Sequence, residues 1–415
     1  MKRIIFHVDQ NCYFASVEMI SRPELRDVPM AVAGDEKARH GIILAKNEPA
    51  KKYGIKTAEA IWQAKAKCPD LILVDAHHEK YEFYSKKLRE MYSEYTDRVE
   101  PFGLDECWLD MTGIIDGYEE AEELALEIRE RVKQDFKLTC SVGISFNKVF
   151  AKLGSDYKKP DATTVFAESD WKDKIWPLPV SDLLFVGKHT AERLAKINVK
   201  SIGDLACTDR EFISRYLGKA GAYLWEYANG MDDSPVAESG YKRIPKSVGN
   251  STTTAEDMTS VRDIERTYHM LSERVAERLR KHKLKGSVVQ ITVRDRDLGI
   301  YEKQKILFKA TDDAKDIYAA AKELFNGSYD WNKGVRSIGV RCTKLVRSDS
   351  GEQLSLFTEV NRSERDSRLN KAIDEINRRY GTSVIKSAAE AETVSRINPH
   401  AGTVDDPFHP EDSLE

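Results

Sequence analysis

A run of apolar residues near the start of the chain, Ile4-Ile5-Phe6-His7-Val8, meets a carboxylate, Asp9, with no turn residue between them. The run predicts a buried β-strand over residues 3–8, with Asp9 just past its end. It is too short, and meets a charge too soon, for a signal peptide. No other apolar run approaches the roughly 20 residues that cross a bilayer, so no membrane segment is expected.

Beyond it, helix and strand patterns alternate. Tyr13 to Ile20 reads as a helix with Phe14, Val17 and Ile20 on one stripe. Residues 41–45 form a second apolar run, and 57–68 read as a helix that stops before Pro69. A long helix is predicted from His78 to Val99, ending before Pro101, then a hairpin-like stretch over 101–110. A helix over 118–135, a strand over 138–145 and a helix from Asn147 complete an α+β module. Pro160, Pro177 and Pro179 mark a boundary near 165–180, and 181–215 reads as helical. Residues 230–245, with Gly, Asp, Ser and Pro, form a plausible linker. Strand patterns at 287–294, 304–309 and 335–345 with a helix at 313–325 fit a small α/β sandwich. The tail after Arg347 is polar, with an amphipathic helix at about 363–380 and an aperiodic, predicted disordered end from 398.

With 415 residues the chain is long enough for two to four domains. Its net charge of −4 looks wrong for a nucleic-acid binder until its distribution is read. Residues 241–347 hold 23 basic against 14 acidic side chains, whereas 348–415 hold 8 against 14. A basic module on phosphate beside an acidic, metal-binding module has this pattern, as does a solvated surface with clustered charge. The six cysteines form no CxxC pair, so neither a zinc site nor a disulfide framework is indicated and a reducing, cytoplasmic compartment is expected. No GxxxxGK[ST] loop and no GxGxxG occur, which excludes a P-loop NTPase.

The carboxylates point to the chemistry. Asp105 and Glu106 are adjacent in a predicted turn between two strands, and Asp9 lies at a strand end. Such groups can converge at one sheet edge as hard oxygen ligands suited to Mg²⁺. Two ions about 4 Å apart there would activate a hydroxyl and stabilise a leaving oxygen. From the residues alone, a solvated turn is the plain alternative.

Three segments narrow the choice. Residues 8–18 (Val-Asp-Gln-Asn-Cys-Tyr-Phe-Ala-Ser-Val-Glu), 103–110 (Gly-Leu-Asp-Glu-Cys-Trp-Leu-Asp) and 141–160, from Ser-Val-Gly-Ile-Ser to Lys-Lys-Pro, resemble the ordered motifs of the Y-family DNA polymerases. The similarity continues to about residue 346. The resemblance implies an α+β right-hand fold, with a palm (1–10 and 78–166), fingers (11–77) and a helical thumb (167–233). A linker (234–243), a little finger (244–347) and a tail (348–415) follow. It implies template-dependent deoxynucleotidyl transfer in translesion synthesis and repair, by a soluble, nucleoid-associated bacterial enzyme that pairs primer–template DNA with an incoming dNTP. Asp9, Asp105, Glu106 and the backbone carbonyl of Gln10 are the implied ligands of two Mg²⁺ ions, with Mn²⁺ a possible substitute. Helper subunits are possible partners.

The pattern also has departures. Asn11 stands where the family often has a second Asp, as in the branch of the polymerase V catalytic subunit. Gly103 replaces a common Ser, and Glu48 with Lys51 replaces a Tyr…Arg pair for the triphosphate. Phe14 matches the steric gate that would reject a 2′-hydroxyl by overpacking, with a plain helix-core residue as the alternative. Tyr13 is expected to pack or to touch the triphosphate, and Lys51 and Lys159 to offset its charge.

Residues 181–193 resemble a helix-hairpin-helix, in which Gly187 and Lys188 would meet a phosphate at a helix start. Lys246 and Ser247, at the start of the basic segment, and Arg294, Arg296, Arg336 and Arg341 are further DNA contacts, positioning without reading sequence. Gln353-Leu354-Ser355-Leu356-Phe357 resembles the pentapeptide that binds the bacterial sliding clamp, with Gln353, Leu354, Leu356 and Phe357 as its contacts. A staple onto the chain's own domain is the alternative. Two other functions fit part of the pattern: a catalytically silent scaffold, and another two-metal palm enzyme such as a nucleotide cyclase.

Overall fold

The structure, a computed structural model, describes residues 2–35, 41–241, 244–327, 329, 333–349, 360–380 and 384–385. The pentapeptide at 353–357 and the end expected to be disordered lie outside them. Two compact units are present, one built chiefly from 1–34 and 42–243 and the other from 244–407. Helix and strand are mixed in both, as an α+β chain requires. No helix among the described residues is long and apolar enough to cross a membrane.

In chain order the first unit begins with β1 (Ile5–Gln10), α1 (Tyr13–Ser21), β2 (Met30–Ala33), β3 (Ile43–Lys46), α2 (Glu48–Lys51), α3 (Ile61–Lys67), β4 (Ile72–Asp75) and α4 (His78–Tyr92). It continues with β5 (Val99–Phe102), β6 (Glu106–Asp110), α5 (Tyr118–Phe136), β7 (Cys140–Ser145), α6 (Lys148–Tyr157) and β8 (Thr163–Phe166). Five short helices follow: α7 (Trp171–Ile175), α8 (Lys188–Ala195), α9 (Ile202–Cys207), α10 (Arg210–Leu217) and α11 (Lys219–Ala228).

The main sheet has the order β5-β6-β1-β7-β8. β1 is antiparallel to both neighbours, with Val8 opposite Cys107 and Val142. Side chains of a strand alternate between faces. Phe6 and Val8 therefore share a face with Cys107, Leu109, Val142 and Ile144, and this face packs on α4 and α5 through Tyr81, Leu88, Ile128 and Val132. The other face carries Ile5, His7 and Asp9, with Glu106 and Trp108 across from them. Helix α6 covers it, where Ala151 joins Ile5 and Trp108.

That helix lies unusually close. A Cβ at Gly143 would fall 1.9 Å from the Ala151 carbonyl oxygen and 2.3 Å from the Ser155 nitrogen. Only glycine lets α6 sit down on β7 at this depth.

A smaller sheet, β3-β2-β4, packs its apolar face on α2 and α3. Buried Asn47 anchors α2: its Oδ1 accepts from the Ala50 and Met30 N–H groups, and its Nδ2 donates to the Leu25 and Val28 carbonyls. Helices α7 to α11 share a core of Ile175, Leu194, Ile202, Leu205, Ile213 and Leu224.

The second unit contains β9 (Ser247–Met258), α12 (Val261–Lys281), β10 (Leu284–Asp295), β11 (Ile300–Thr311), α13 (Ala314–Asn326), β12 (Val335–Arg347) and α14 (Val360–Tyr380). Its antiparallel sheet has the order β11-β10-β12-β9. Val248, Val289, Ile291, Val293, Ile338 and Val340 pack on α12 and α13. Helix α14 is tied to α12 by a two-pronged ion pair, Arg280 Nε and Nη2 to the Asp374 carboxylate, at 2.6 and 2.8 Å.

Several expected boundaries move. β1 runs on through Asp9 and Gln10, because both pair with β7. The helix expected over 78–99 ends at Tyr92 instead, since Val99–Phe102 pairs with β6. Strands β2, β4 and β8, each of four residues, carry no alternation long enough to read.

Candidate active site

Asp9 and Glu106 face each other directly across neighbouring strands. Directly opposed side chains on one sheet face lie within contact range, so two carboxylates here repel unless a cation sits between them. The chain supplies two ammonium groups. Lys152 Nζ is 2.9 Å from Asp9 Oδ2, 2.9 Å from Glu106 Oε2 and 3.0 Å from Asp156 Oδ2. Lys159 Nζ is 2.7 Å from both Asp9 Oδ2 and Asp156 Oδ1. Burial alone would lower both lysines, but the combined attraction of Asp9, Asp156 and, for Lys152, Glu106 outweighs it and raises them.

Asp105 sits one residue earlier, in the turn joining β5 to β6. Gly103 makes that turn with φ of +81°, a left-handed conformation that a serine would adopt only with strain. This gives the departure at Gly103 a local reason. The Gln10 N–H donates to the Asp105 carbonyl at 3.1 Å, which ties the turn to the end of β1. Burial first, then the charges of Glu106 and Asp9, push the Asp105 carboxyl up to about 7. Among the described residues, the group whose ligand atoms all lie within 4.8 Å of one another is His7, Asp9 and Glu106, without Asp105.

Asn11 is buried and fully used. Its amide donates to Thr139 Oγ1 at 3.2 Å and accepts from Ser141 Oγ at 3.1 Å. An aspartate would lose the donor, so the second departure is a structural bridge rather than a missing ligand. Cys12, at φ of +52°, then turns the chain straight from β1 into α1.

On α1, Tyr13 takes the packing option. Its ring is buried and its hydroxyl donates to the Tyr81 carbonyl at 2.6 Å. Phe14 is half-buried and stacks on Tyr81, with ring centroids 4.1 Å apart and planes at 11°. The buried Glu18 carboxylate accepts from the Tyr81 hydroxyl at 2.8 Å and meets His77 and Lys80, fixing α1 against α4. In the smaller sheet's unit, Lys51 is held by Glu48 at 2.7 Å, and the Cys12 thiol donates to the same Glu48 oxygen at 3.3 Å. Lys51 is thus already paired, by the residue that replaces the expected Tyr.

Two residues at this site had no sequence signal that singled them out. His7 is fully buried one pleat behind Asp9, with Nδ1 2.8 Å from Ser155 Oγ. Burial first, then Lys152, hold its imidazole well below its ordinary range, so the ring is neutral. Lys152 reads in sequence as one more surface lysine. Its i+4 spacing to Asp156 on α6, with Lys159 just past the helix end, was the available clue.

The predicted DNA contacts lie in both units. Gly187 is the N-cap of α8 and is exposed, as is Lys188. In the second unit, Ser247, Arg294 and Arg341 alternate with Val248, Val293 and Val340, so they share the face that α12 and α13 leave open. Lys246 precedes β9, Arg336 lies where the β12–β9 register shifts, and Arg296 is in the turn after β10, its N–H donating to the Gly334 carbonyl.

Sequence signatures of the impB/mucB/samB family match residues 8–156 and those of its C-terminal domain 245–356, with the IMS family HHH motif at 168–199. The chain is 49% identical over 381 residues to the DNA polymerase IV of Acetivibrio thermocellus, covering 92% of this chain and 96% of that one. It is 36% identical over 389 residues to the DNA polymerase IV 1 of Bacillus subtilis, covering 93% of each. Among solved structures, a Y-family polymerase chimera of Dbh and Dpo4 superposes with a TM-score of 0.75 at 23% identity, covering 83% of this chain and 99% of that one. DinB from Sulfolobus solfataricus gives 0.55 at 24%, covering 82% and 98%. These likenesses give the fold, a right hand with palm, fingers, thumb and little finger. With close relatives matched over nearly their whole length, the chain belongs to the bacterial Y-family of DNA polymerases.

Proposed function

We propose that the chain extends a primer by two-metal deoxynucleotidyl transfer, in translesion synthesis and DNA repair, in the cytoplasm at the nucleoid. The observation that supports this most is the opposed pair Asp9 and Glu106, with the ammonium groups of Lys152 and Lys159 already drawn to it. The donor set suits a hard divalent cation. It is carboxylate oxygen, and Glu106 Oε2 is buried with no aligned hydrogen bond despite its near neighbours.

Asp9, Asp105, Glu106 and the Gln10 carbonyl would hold two Mg²⁺ ions, or Mn²⁺ in their place. When bound, such ions make the primer hydroxyl a better nucleophile and stabilise the leaving oxygen. The protein's own share is positioning and charge. Lys159 and Lys51 would turn from Asp9 and Glu48 to the triphosphate, offsetting charge on the transferring group. Phe14, held flat on Tyr81, would leave no room for a 2′-hydroxyl. Tyr13 contributes through packing.

Gly187 and Lys188 at the start of α8, and Lys246, Ser247, Arg294, Arg296, Arg336 and Arg341 in the basic unit, would grip primer–template phosphates. Gln353, Leu354, Leu356 and Phe357 would dock on the sliding clamp.

Primer extension by the full-length protein tests the reading. Asp9→Ala, Asp105→Ala and Glu106→Ala should each remove about 5 kcal/mol of transition-state stabilisation, nearly four decades in rate, while the protein stays folded. Ordinary extension by Glu106→Ala would sink it.

A further inference from the structure

We propose that His7 is a positioning residue for Glu106, holding its carboxylate in the orientation that the metal site needs. The inference rests on the reading of Glu106 as a metal ligand. Its starting point is the burial of the ring. His7 sits with no exposure beside apolar Ile5 and Trp108 on the sheet face and Ala151 of α6, with Ser155 the buried hydroxyl nearest to it. A polar ring with no exposure is out of place there unless both nitrogens are used.

Both are aimed at polar atoms. Nδ1 lies 2.8 Å from Ser155 Oγ, and that oxygen lies 2.8 Å from the Lys152 carbonyl. Nε2 lies 3.2 Å from Glu106 Oε2, at the far side of the ring. The backbone of α6, Ser155, His7 and Glu106 thus form one chain of contacts. The same helix brings Lys152 Nζ to Glu106 Oε2. The ring itself cannot drift: it is set edge-on to Trp108, with centroids 5.2 Å apart and planes at 65°.

The last link is not yet a hydrogen bond. His7 Nε2 and Glu106 Oε2 are both buried, and neither has an aligned partner. Ser155 has a single proton: when its hydroxyl turns from the Lys152 carbonyl to donate to Nδ1, the proton of the neutral ring sits on Nε2, and a small rotation of the Glu106 carboxylate closes the bond. Catalytic hydrogen bonds are often long or misaligned before the reactants arrive and tighten in the complex. Carboxylates that bind metal are commonly held by a second group in this way, and losing it typically costs about 10- to 100-fold in metal affinity or activity.

Two near-isosteric variants separate this role from core packing. The amide end of glutamine reaches the place of Nε2, and that of asparagine the place of Nδ1. His7→Gln therefore keeps the link to Glu106 and gives up Ser155, whereas His7→Asn does the reverse. Each retains one of the two contacts, so a role in stability alone should affect both alike. Full-length protein bound to primer–template and a non-hydrolysable dNTP is titrated with Mn²⁺ and free ion is counted by electron paramagnetic resonance. Glu106→Ala runs in parallel, and Tm is recorded for every variant.

The expected result is Mn²⁺ binding weakened on the order of 10-fold in His7→Asn, with His7→Gln close to the parent. Equal behaviour of the two His7 variants, with Glu106→Ala still weakened, would overturn the positioning role alone. Unchanged binding in Glu106→Ala would bring down the metal-site reading and this inference with it. Imidazole nitrogen coupled directly to Mn²⁺ in pulsed spectra would also overturn it, making His7 a ligand.

Discussion

Gly143→Ala tests whether the site depends on how closely α6 is seated on β7. The added methyl would lie 1.9 Å from the Ala151 carbonyl oxygen, whereas real Cβ atoms essentially never come under 3.0 Å of a neighbour. The obstacle is backbone, so no rotamer change relieves it, and α6 must retreat by about 1.1 Å. Overpacking of this kind costs about 1–3 kcal/mol, occasionally more. The same retreat carries Lys152 and Ser155 away from Glu106 and His7. A misplacement of about 1 Å can cost on the order of 100-fold in rate, so the insertion rate should fall by about that much. Gly154→Ala is the graded control, since its methyl would meet the Gly143 Cα at 3.0 Å and ask for a far smaller shift. Single-turnover insertion and urea unfolding measure the two effects. Parental rate and midpoint in Gly143→Ala would refute the argument that this crossing sets the site.

Three further outcomes are expected. Phe14→Ala should admit ribonucleotides by relieving about 1–3 kcal/mol of overpacking, roughly a 5- to 150-fold gain over deoxynucleotides in single-nucleotide insertion, and unchanged sugar discrimination would place the gate elsewhere. Burial alone would raise the Glu18 carboxyl, but hydrogen bonds from Tyr81, His77 and Lys80 outweigh it and hold it below its ordinary value of 4.5. Its contribution is then full above that value and is lost as pH falls through the depressed one. Glu18→Gln should be less stable than the parent by about 1–3 kcal/mol at neutral pH and converge on it in acid; a gap in urea midpoints that persists in acid would count against this. Leu356→Ala with Phe357→Ala should leave short-primer synthesis intact while clamp binding drops by about 3–6 kcal/mol, and parental affinity by calorimetry would make the motif a chance match.

The carboxylate pair was legible because the motifs around Asp9 and Glu106 resemble a known family. Periodicity alone left Asp105 and Glu106 in a solvated turn, and it placed Asp9 outside its strand. Helix α5 and strand β7 were readable because an amphipathic stripe and an apolar run each match one period. The region after Tyr92 was not, since Ser93 to Val99 contains neither Gly nor Pro to break the helical pattern. The short β8 was likewise passed over. His7 escaped because a histidine in an apolar run reads as a core residue. Its partners, Ser155 and Glu106, are far away in sequence, and only the register of β1 brings them together.

The place of β1 in the middle of its sheet bears on how the chain is made. It leaves the ribosome before both of its partners, β6 and β7, which end at Asp110 and Ser145. At roughly 5–20 residues per second, β7 is not complete until roughly 7–27 seconds after β1. Until β6 is made both edges of this apolar strand are unpaired, and one stays open until β7 is made; unpaired edges invite pairing with other chains. Asp9, at the end of that strand, places a charge where such a stack would otherwise grow. The residue assigned to hold metal in the finished enzyme would thus also guard the nascent chain against aggregation.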